Sequence, residues 1–184
     1  MTKIAISGNI ASGKSCVEEI LKTLGYTVYD TDKIAHQILL ESEEVKKAFP
    51  DCYDDRKKLG SIVFKDSQKR LVLERIIHPQ VEKVIKNLDE NIVFVSIPLL
   101  FEAKMEKLFD KIIFVSAPTK IRLERLMRRN NLTEEEAMLR INSQMSEDEK
   151  IKKSDFVIYN NSDIKSLEEQ VNSVLSSPLL TGEG

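Results

Sequence analysis

Short apolar runs alternate with amphipathic stretches through the first thirty residues of the chain. Residues 3–7 form an apolar run that ends at Gly8, a pattern typical of a buried strand. Residues 14–24 carry apolar side chains at helical spacing and stop at Gly25. Residues 27–29 form a second short apolar run. The pattern predicts a strand–loop–helix–strand unit, in which the strands run parallel and the crossover is right-handed.

Residues 32–90 have a different character, because helical patterns dominate and clear strand signals are absent. Helices are predicted here at 32–40, 43–48, 68–76 and 79–88. A polar, turn-like segment at 51–55 interrupts them. We interpret this region as a helical insertion on an α/β core.

The alternation of strands and helices returns at Asn91. Two β-branched and aromatic runs, at 92–97 and 111–116, predict central strands that are covered on both faces, and residues 156–159 predict a fifth strand. Helices are predicted at 119–130, 133–145 and 164–175. The tail from Ser176 to Gly184 is expected to be frayed. The whole pattern predicts an α/β fold with a five-stranded parallel sheet.

Composition narrows the class of protein. The chain has 184 residues, of which 41% are hydrophobic and 32% charged, with a net charge of −2, so it suits one domain without a general attraction to nucleic acid or anionic lipid. Cys16 and Cys52 form no CxxC pair, which argues against zinc and dithiol chemistry. No apolar run reaches the roughly 18 residues that a membrane span needs, and no signal-peptide pattern opens the chain. We therefore expect a cytoplasmic protein.

Residues 8–15 match GxxxxGK[ST] at every fixed position and lie between a predicted strand and a predicted helix. Gly8 allows a sharp turn, and Gly13 lets backbone N–H groups approach phosphate oxygens. Lys14 can reach the β- and γ-phosphates, and the Ser15 hydroxyl can bind Mg²⁺. A chance match in a surface turn would not explain both flanking elements. The loop predicts nucleoside-triphosphate binding and leaves the reaction open.

The helix predicted at 119–130 is strongly basic. Arg122, Arg125 and Arg129 are spaced by three and four residues, so they share one face. Such a face suits closure over the phosphates of ATP. The alternative is an ordinary solvated basic helix.

Two carboxylates, Asp30 and Asp32, follow the second predicted strand at the sheet edge where α/β folds bind ligands. One of them could accept a hydroxyl proton or hold Mg²⁺, and the alternative is that it caps the next helix. No aspartate follows the runs at 92–97 or 112–116, so Mg²⁺ is expected to rely on Ser15, water and one of these carboxylates. A GTPase-like NKxD motif is absent from the sequence.

Taken together and in order, seven elements of the chain resemble the dephospho-coenzyme A kinase family. They are Gly8–Ser15, Asp30–His36, His78–Pro79, Pro98–Glu102, Arg122–Arg129, the pair Arg140 and Gln144, and Asp155–Asn160. The resemblance implies a three-layer P-loop kinase fold in residues 1–184, with a helical insertion on the CoA side at about 32–90 and a helical lid at about 119–153. It also implies transfer of the ATP γ-phosphate to the ribose 3′-hydroxyl of dephospho-CoA, with Mg²⁺ as cofactor.

The resemblance further implies roles for individual residues. The catalytic group would be Asp32 as the base, Lys14, and Arg125 or Arg129 over the γ-phosphate. ATP would contact Gly8, Asn9, Ala11, Ser12, Gly13, Lys14, Ser15, Cys16 and Asn160. The acceptor would contact Asp32, His78, Leu99, Glu102 and Arg140, and Ser15 would bind the metal ion. His78 read alone is equally typical of a helix start, with Pro79 in the first turn.

Four positions depart from the family pattern. Asn9 replaces the usual second glycine of the loop, and we expect it to accept a positive φ better than most residues. Cys16 replaces the common threonine after Ser15. His36 and Lys150 stand where arginines are expected, and Lys150 lacks the bidentate geometry of arginine.

The sequence leaves other functions open. One is a kinase of the same fold that acts on a nucleoside, a nucleotide or a shikimate-like acceptor. A second is a nucleotide-binding switch with only slow hydrolysis. A third is a nucleic-acid binder that uses the basic helix, which the 6% aromatic content and the absence of Trp argue against. The expected partners are ATP and dephospho-CoA, without nucleic acid or membrane, and the expected state is a monomer or weak oligomer.

Overall fold

The computed structural model describes residues 1–181, apart from the side chains of Arg56, Leu179 and Thr181. The chain divides into two compact units. We call residues 1–29 together with 89 onward the sheet unit, and residues 30–88 the helical unit. The helical unit begins two residues before the predicted insertion and ends two residues earlier.

The sheet unit is built on parallel strands. The strands are β1 (Thr2–Gly8), β2 (Val28–Asp30), β3 (Ile92–Ser96), β4 (Lys111–Ser116) and β5 (Phe156–Tyr159). Their order is β2-β3-β1-β4-β5, with β1 parallel to β3 and β4, and β4 parallel to β5. Ile6 of β1 pairs with Ser96, so β3 ends beside the start of the Gly8–Ser15 loop. The predicted five-stranded parallel sheet is confirmed.

Ten helices occur in the described part of the chain. They are α1 (Lys14–Thr23), α2 (Thr31–Glu41), α3 (Glu43–Ala48), α4 (Arg56–Lys65), α5 (Ser67–Lys86), α6 (Thr119–Asn130), α7 (Glu134–Asn142), α8 (Glu147–Lys152), α9 (Ile164–Leu175) and α10 (Pro178–Thr181). A short 3₁₀ turn spans Glu106–Leu108. None of these helices is both long enough and apolar enough to cross a lipid bilayer.

Both faces of the sheet are buried, which is typical of parallel sheets in α/β proteins. One face packs its isoleucines, valine and Phe94 against apolar side chains of α1, α9 and α10. On the opposite face, Val93, Val95 and Phe114 are also fully buried, and the Phe114 ring lies 6.4 Å from that of Phe101. This core fixes the strand ends that carry the loop.

Helix α5 corrects the prediction of two helices at 68–76 and 79–88. It is continuous over twenty residues, with Pro79 inside it, so Pro79 does not stand in a first turn. A proline normally interrupts a helix because it lacks an N–H group. Here Ile77, Val81 and Ile85 bury one continuous stripe across the proline. Burial of that stripe outweighs the lost hydrogen bond.

Helices α4 and α8 were not predicted. Asp55 starts α4 by accepting a hydrogen bond from the Lys58 N–H at 3.0 Å, and Leu59 anchors the helix with 1% exposure. The predicted helix 133–145 ends earlier, at Asn142, although its predicted capping box between Thr133 and Glu136 is confirmed. Helix α8, at Glu147–Lys152, lies beyond the end of that predicted helix.

The prediction of a frayed tail is wrong for the described part of it. Residues 178–181 form α10, and Leu180 is only 4% exposed against the core of the sheet unit. Residues 182–184, which the prediction also covered, lie outside the described residues.

Candidate nucleotide-binding site

The backbone of the Gly8–Ser15 loop depends on two glycines for different reasons. A Cβ atom on Gly8 would lie 2.5 Å from Ser12 Oγ and 2.8 Å from the Val115 carbonyl oxygen. Gly13 has a φ of +90°, and a Cβ atom there would lie 1.8 Å from Asn160 Nδ2. Gly8 is required because neighbouring atoms leave no room for a Cβ atom. Gly13 is required for the same reason and also because its backbone is left-handed.

Asn9 fits the loop for a reason that differs from the expected one. The positive φ in this part of the loop belongs to Ala11, at 61°, and to Gly13, whereas Asn9 is not among the described residues with positive φ. Asn9 is instead buried, and its Oδ1 accepts a hydrogen bond from Lys150 Nζ at 2.8 Å. Its side chain therefore serves as a polar partner.

Lys150 is the centre of a buried polar cluster, which we call the Lys150 cluster and which comprises Asn9, Glu102 and Lys150. The Lys150 side chain is fully buried, and its ammonium pairs with Glu102 Oε1 at 2.7 Å. The same carboxylate oxygen accepts the Met145 N–H at 3.2 Å. Next to the cluster, the Ile10 N–H donates to Gln144 Oε1 at 2.8 Å. These bonds tie the first half of the loop to the segment between α7 and α8.

Arg125 and Asn160 contact the second half of the loop. Arg125 Nη1 donates to the carbonyl oxygen of Ser12 at 3.2 Å and to that of Ala11 at 3.4 Å. Asn160 Nδ2 donates to the same Ser12 oxygen at 2.9 Å, and Asn160 Oδ1 accepts from Arg125 Nη2 at 3.4 Å. The structure therefore brings these two predicted residues together at Gly13.

The three arginines predicted to share one face have different surroundings. Arg122 is only 4% exposed, and its guanidinium pairs with Glu147 at 3.2 Å and donates to the Ala117 carbonyl oxygen. Arg129 is exposed, and its Nε donates to Asn130. Arg122 therefore differs from the other two arginines, because the partly exposed carboxylate of Glu147 pairs with its buried guanidinium.

Lys14 belongs to a second polar cluster, at the carboxyl end of β3. Lys14 Nζ donates to Glu18 Oε1 at 2.6 Å and to Ser96 Oγ, and the Ser96 hydroxyl donates to the same carboxylate oxygen at 2.7 Å. Burial acts to raise the pKa of Glu18, but hydrogen bonds from Lys14 and Ser96 outweigh it, so this pKa lies below its ordinary value. The carboxylate is therefore charged at neutral pH.

Ser15 and Cys16 are exposed in the first turn of α1. They line a cavity of about 540 Å³ between α1 and α9. Among residues 1–181, no group of three or more His, Cys, Asp or Glu side chains could hold a metal ion. The oxygen donors of this turn suit a metal ion that arrives with a nucleotide rather than one held by the protein alone.

A second cavity, of about 590 Å³, lies between the loop and the helices that follow β4. Asn9, Arg122, Gln144 and Glu147 contribute to its lining. Arg122 Nη1 is buried and donates no hydrogen bond to the described residues.

Two predicted acceptor residues, Leu99 and Arg140, are exposed side chains of the sheet unit. Asp32, His36 and His78 belong to the helical unit, with Asp32 and His36 in α2 and His78, partly buried, in α5. Asp30 caps α2 by accepting a hydrogen bond from the Asp32 N–H at 2.9 Å. The capping role considered for both aspartates therefore belongs to Asp30.

Sequence reasoning missed Glu18, Ser96 and the partners of Lys150. Lys14 and Glu18 stand four residues apart, which on a helix resembles an ordinary surface ion pair. Only the position of β3 beside β1 shows that the pair is buried against Ser96. The sequence showed Lys150 only as a lysine at the position of an expected lid arginine. Its contact with Asn9 was not predictable, because the two residues are 141 positions apart.

Comparison with known proteins agrees with this geometry. The sequence model of the family described as dephospho-CoA kinase matches residues 2–166. A dephospho-CoA kinase of Bacillus licheniformis is 40% identical over 191 aligned positions, which cover 95% of each chain.

Solved structures extend the comparison. A dephospho-CoA kinase from Campylobacter jejuni is 34% identical, with a TM-score of 0.75 over 99% of this chain and 98% of that one. A shikimate kinase from Acinetobacter baumannii is 13% identical, with a TM-score of 0.62 over 100% and 94%, and so shares the fold. With a P-loop kinase fold, an intact Gly8–Ser15 loop and a family match over most of its length, the chain belongs to the dephospho-CoA kinase family.

Proposed function

We propose that this protein is a kinase that transfers the γ-phosphoryl group of ATP to the ribose 3′-hydroxyl of dephospho-CoA, giving CoA and ADP in the last step of CoA synthesis. The observation that carries the proposal is the Gly8–Ser15 loop, built with an N-terminal helix end and two required glycines, in a chain whose residues 2–166 match the dephospho-CoA kinase family. Such a loop binds phosphate through backbone N–H groups and the positive end of the helix.

For ATP, the proposed contacts are the backbone and side chains of the loop together with Asn160. The residues are Gly8, Asn9, Ala11, Ser12, Gly13, Lys14, Ser15, Cys16 and Asn160. The hydrogen bond from Asn160 to Ser12 supports its inclusion, because it fixes the side chain against the loop. Lys14 would stabilise the negative charge that develops between the β- and γ-phosphates as the bond breaks.

Mg²⁺ is the proposed cofactor, and the exposed hydroxyl of Ser15 would hold it. When bound, a divalent cation of this kind neutralises charge on the β- and γ-phosphate oxygens. The Ser15 hydroxyl is a hard oxygen donor, which fits that ion better than a soft transition metal.

On the acceptor side, Asp32 would orient the 3′-hydroxyl and take its proton. In a loose phosphoryl-transfer transition state, proton loss occurs late, so the carboxylate acts chiefly by positioning the attacking oxygen. The hydrogen bond by which Asp30 caps α2 supports this division of roles, because Asp32 is not needed as the cap. His78, Leu99, Glu102 and Arg140 would complete the CoA side of the site.

Arg125 or Arg129 would act over the γ-phosphate. Arg125 already contacts loop carbonyl groups, whereas Arg129 is exposed at the end of α6. An arginine in this role contributes roughly 10³–10⁵ to the rate in related reactions.

A test of the acceptor uses the purified full chain with Mg-ATP and a panel of dephospho-CoA, shikimate and nucleoside monophosphates. We expect ADP to form with dephospho-CoA and at background rates with the others. Rapid turnover of a monophosphate or of shikimate, with none of dephospho-CoA, would assign the protein to another kinase of the same fold.

A second test separates a kinase from a nucleotide-binding switch. In the variant Asp32→Asn, ATP affinity should stay close to that of the unchanged protein, while the transfer rate should fall by a factor of about 10² or more. Equal transfer rates in the two proteins would remove Asp32 as the base.

A further inference from the structure

The carboxyl end of β3 is the place where P-loop proteins commonly present an acidic group. In P-loop nucleotide hydrolases, an aspartate at this kind of strand end holds Mg²⁺ together with the serine or threonine of the loop. In this chain β3 pairs directly with β1 and ends at Ser96, an uncharged residue. The strand itself therefore brings no carboxylate to the metal ion.

A carboxylate nevertheless reaches this position from another element. Glu18 lies one turn after Lys14 on α1, and its side chain is 11% exposed. Ser96, only 1% exposed, donates its hydroxyl to Glu18 Oε1 at 2.7 Å. The two side chains thus place a buried negative charge at the end of β3.

The hydrogen bonding of this carboxylate is uneven. Lys14 and Ser96 both donate to Oε1, and Oε2 accepts no hydrogen bond from the described residues. One oxygen is therefore fixed by the protein, and the other is available to a water molecule bound to a metal ion. A carboxylate in such a position orients metal-bound water, much as acidic side chains do in other Mg²⁺ sites.

The charge balance of the loop points the same way. Lys14 is the loop cation for the phosphates of ATP, and Glu18 cancels its charge at a distance of 2.6 Å. A buried carboxylate beside a triphosphate is unfavourable unless a cation lies between them. The divalent cation that accompanies ATP is such a cation, and it would offset the repulsion between Glu18 and the phosphates.

We propose, on the basis of the ATP-binding function proposed above, that Glu18 supplies from α1 the acidic group that positions the divalent cation of Mg-ATP. Ser15 binds the cation directly, and Glu18 accepts a hydrogen bond from cation-bound water. Ser96 holds the Glu18 carboxylate at the strand end. Glu18 thereby takes the place of an acidic residue on β3.

The test measures binding rather than turnover. The dissociation constant of a non-hydrolysable ATP analogue is determined by calorimetry on the full chain, once with Mg²⁺ and once with excess EDTA. The ratio of the two constants reports how strongly the metal contributes to binding. In the unchanged protein we expect Mg²⁺ to strengthen binding at least about tenfold.

The variant Glu18→Gln keeps the size of the side chain and removes its charge. We expect the ratio to fall about tenfold, the effect of one hydrogen bond to a charged group, with little change in EDTA. The matched control is Glu19→Gln, the next residue on α1, which is 71% exposed and pairs with Lys22. The control should keep the ratio of the unchanged protein.

A second experiment moves the carboxylate from α1 to the end of β3. The double variant Glu18→Ala/Ser96→Asp should recover most of the ratio that Glu18→Ala loses, because it returns an acidic group to the end of β3. If Glu18→Gln does not fold, Glu18→Asp, which withdraws the carboxylate by one methylene, should lower the ratio in its place.

The outcomes distinguish the proposed metal role of Glu18 from the proposed ATP binding on which it rests. A ratio that stays constant in the Glu18 variants, including equal weakening in Mg²⁺ and in EDTA, would overturn the metal role and leave Glu18 as a partner of Lys14. Analogue binding without any Mg²⁺ effect in the unchanged protein would also overturn it, while ATP binding would stand. Absence of analogue binding under both conditions would instead contradict the proposed function.

Discussion

At the scale of single residues, the Gly8–Ser15 loop depends on left-handed backbone conformations, which are unfavourable for residues with a side chain. Gly13 combines a left-handed backbone with a contact to Asn160 so close that no Cβ atom fits. Ala11, at φ 61°, adopts the left-handed region with a side chain, which costs on the order of 1 kcal/mol. Contacts from Arg125 to the Ala11 carbonyl group help to hold this backbone in place.

The variant Gly13→Ala should lower the free energy of unfolding by roughly 1–3 kcal/mol from backbone conformation alone, and it should also weaken ATP binding by displacing Asn160. Urea unfolding and calorimetry measure the two effects. The matched control is Gly60→Ala in α4, where a Cβ atom would meet nothing within 4 Å. That control should be stabilised by about 0.5–1 kcal/mol. Equal stability of the two variants would contradict this account.

Glu18 should make stability depend on pH. Its pKa in the folded protein lies below the ordinary value of 4.5, so its contribution is present above that value and is lost as the pH falls further. Glu18→Gln should therefore be less stable than the unchanged protein at pH 7, and the difference should shrink below about pH 4.5. Urea unfolding at several pH values measures this. A difference that is the same at pH 7 and pH 4 would contradict the assigned charge interaction.

How far single residues could be predicted depends on whether their partners are near in sequence. The motif marked Gly8, Gly13, Lys14 and Ser15, because fixed spacing defines their chemistry. It did not mark Ala11, which occupies a variable position and takes the left-handed conformation expected at Asn9. The burial of Glu18 could not be predicted from the motif, because it depends on the order of the strands in the sheet.

At the scale of elements, the first half of the loop is tied to the segment between α7 and α8. The Lys150 cluster joins Asn9 to Glu102, and Gln144 accepts the Ile10 N–H. Apolar residues of α6 and α7 add to this connection by packing against Ile10 and Ala11. Two departures from the family pattern, Asn9 and Lys150, are therefore direct partners. Lys150 donates the hydrogen bond that the buried Asn9 side chain accepts.

Removal of the buried ammonium should test the Lys150 cluster. Lys150→Met keeps the length of the side chain but leaves Glu102 and Asn9 without their shared donor. We expect a loss of about 2 kcal/mol in unfolding free energy, less than for a fully buried pair because the Glu102 side chain is 26% exposed. The control Lys153→Met removes an exposed ion pair at 3.8 Å and should change stability by less than about 0.5 kcal/mol. Similar losses in both variants would contradict a special role for Lys150.

Helix α6 carries arginines with different tasks. Arg125→Ala should weaken ATP binding about tenfold, because the guanidinium holds two loop carbonyl groups and Asn160. The control is Arg128→Ala, an exposed position on the same helix. Calorimetric titration with ATP measures both variants. An affinity in Arg125→Ala that equals that of the control would show that its loop contacts do not matter for the nucleotide.

Elements with strong local signals were predictable, and those formed by burial were not. The capping box at Thr133 is a local signal, and Ser146 with Glu149 forms a similar pair that would have revealed α8. Helix α5 runs through Pro79 because tertiary burial of its apolar stripe overrides the local preference. No local pattern reports such an override.

At the scale of the whole molecule, the five-stranded parallel sheet is the one that the sequence predicted. The strand order could not be derived from periodicity, and this order decides that Ser96 lies beside Ile6 and near Lys14. The assignment of the helical unit to the CoA side stays a prediction, as do a cytoplasmic location and a monomeric or weakly associated state. The family and the kinase fold are established by similarity over most of the chain.

The most direct measurement incubates the purified full chain with Mg-ATP and dephospho-CoA and identifies the products by mass spectrometry and phosphorus NMR. We expect one ADP for each CoA, with the new phosphate on the ribose 3′-oxygen. Consumption of ATP without formation of CoA, or a phosphate on any other oxygen, would contradict the central claim that this chain is a dephospho-CoA 3′-kinase.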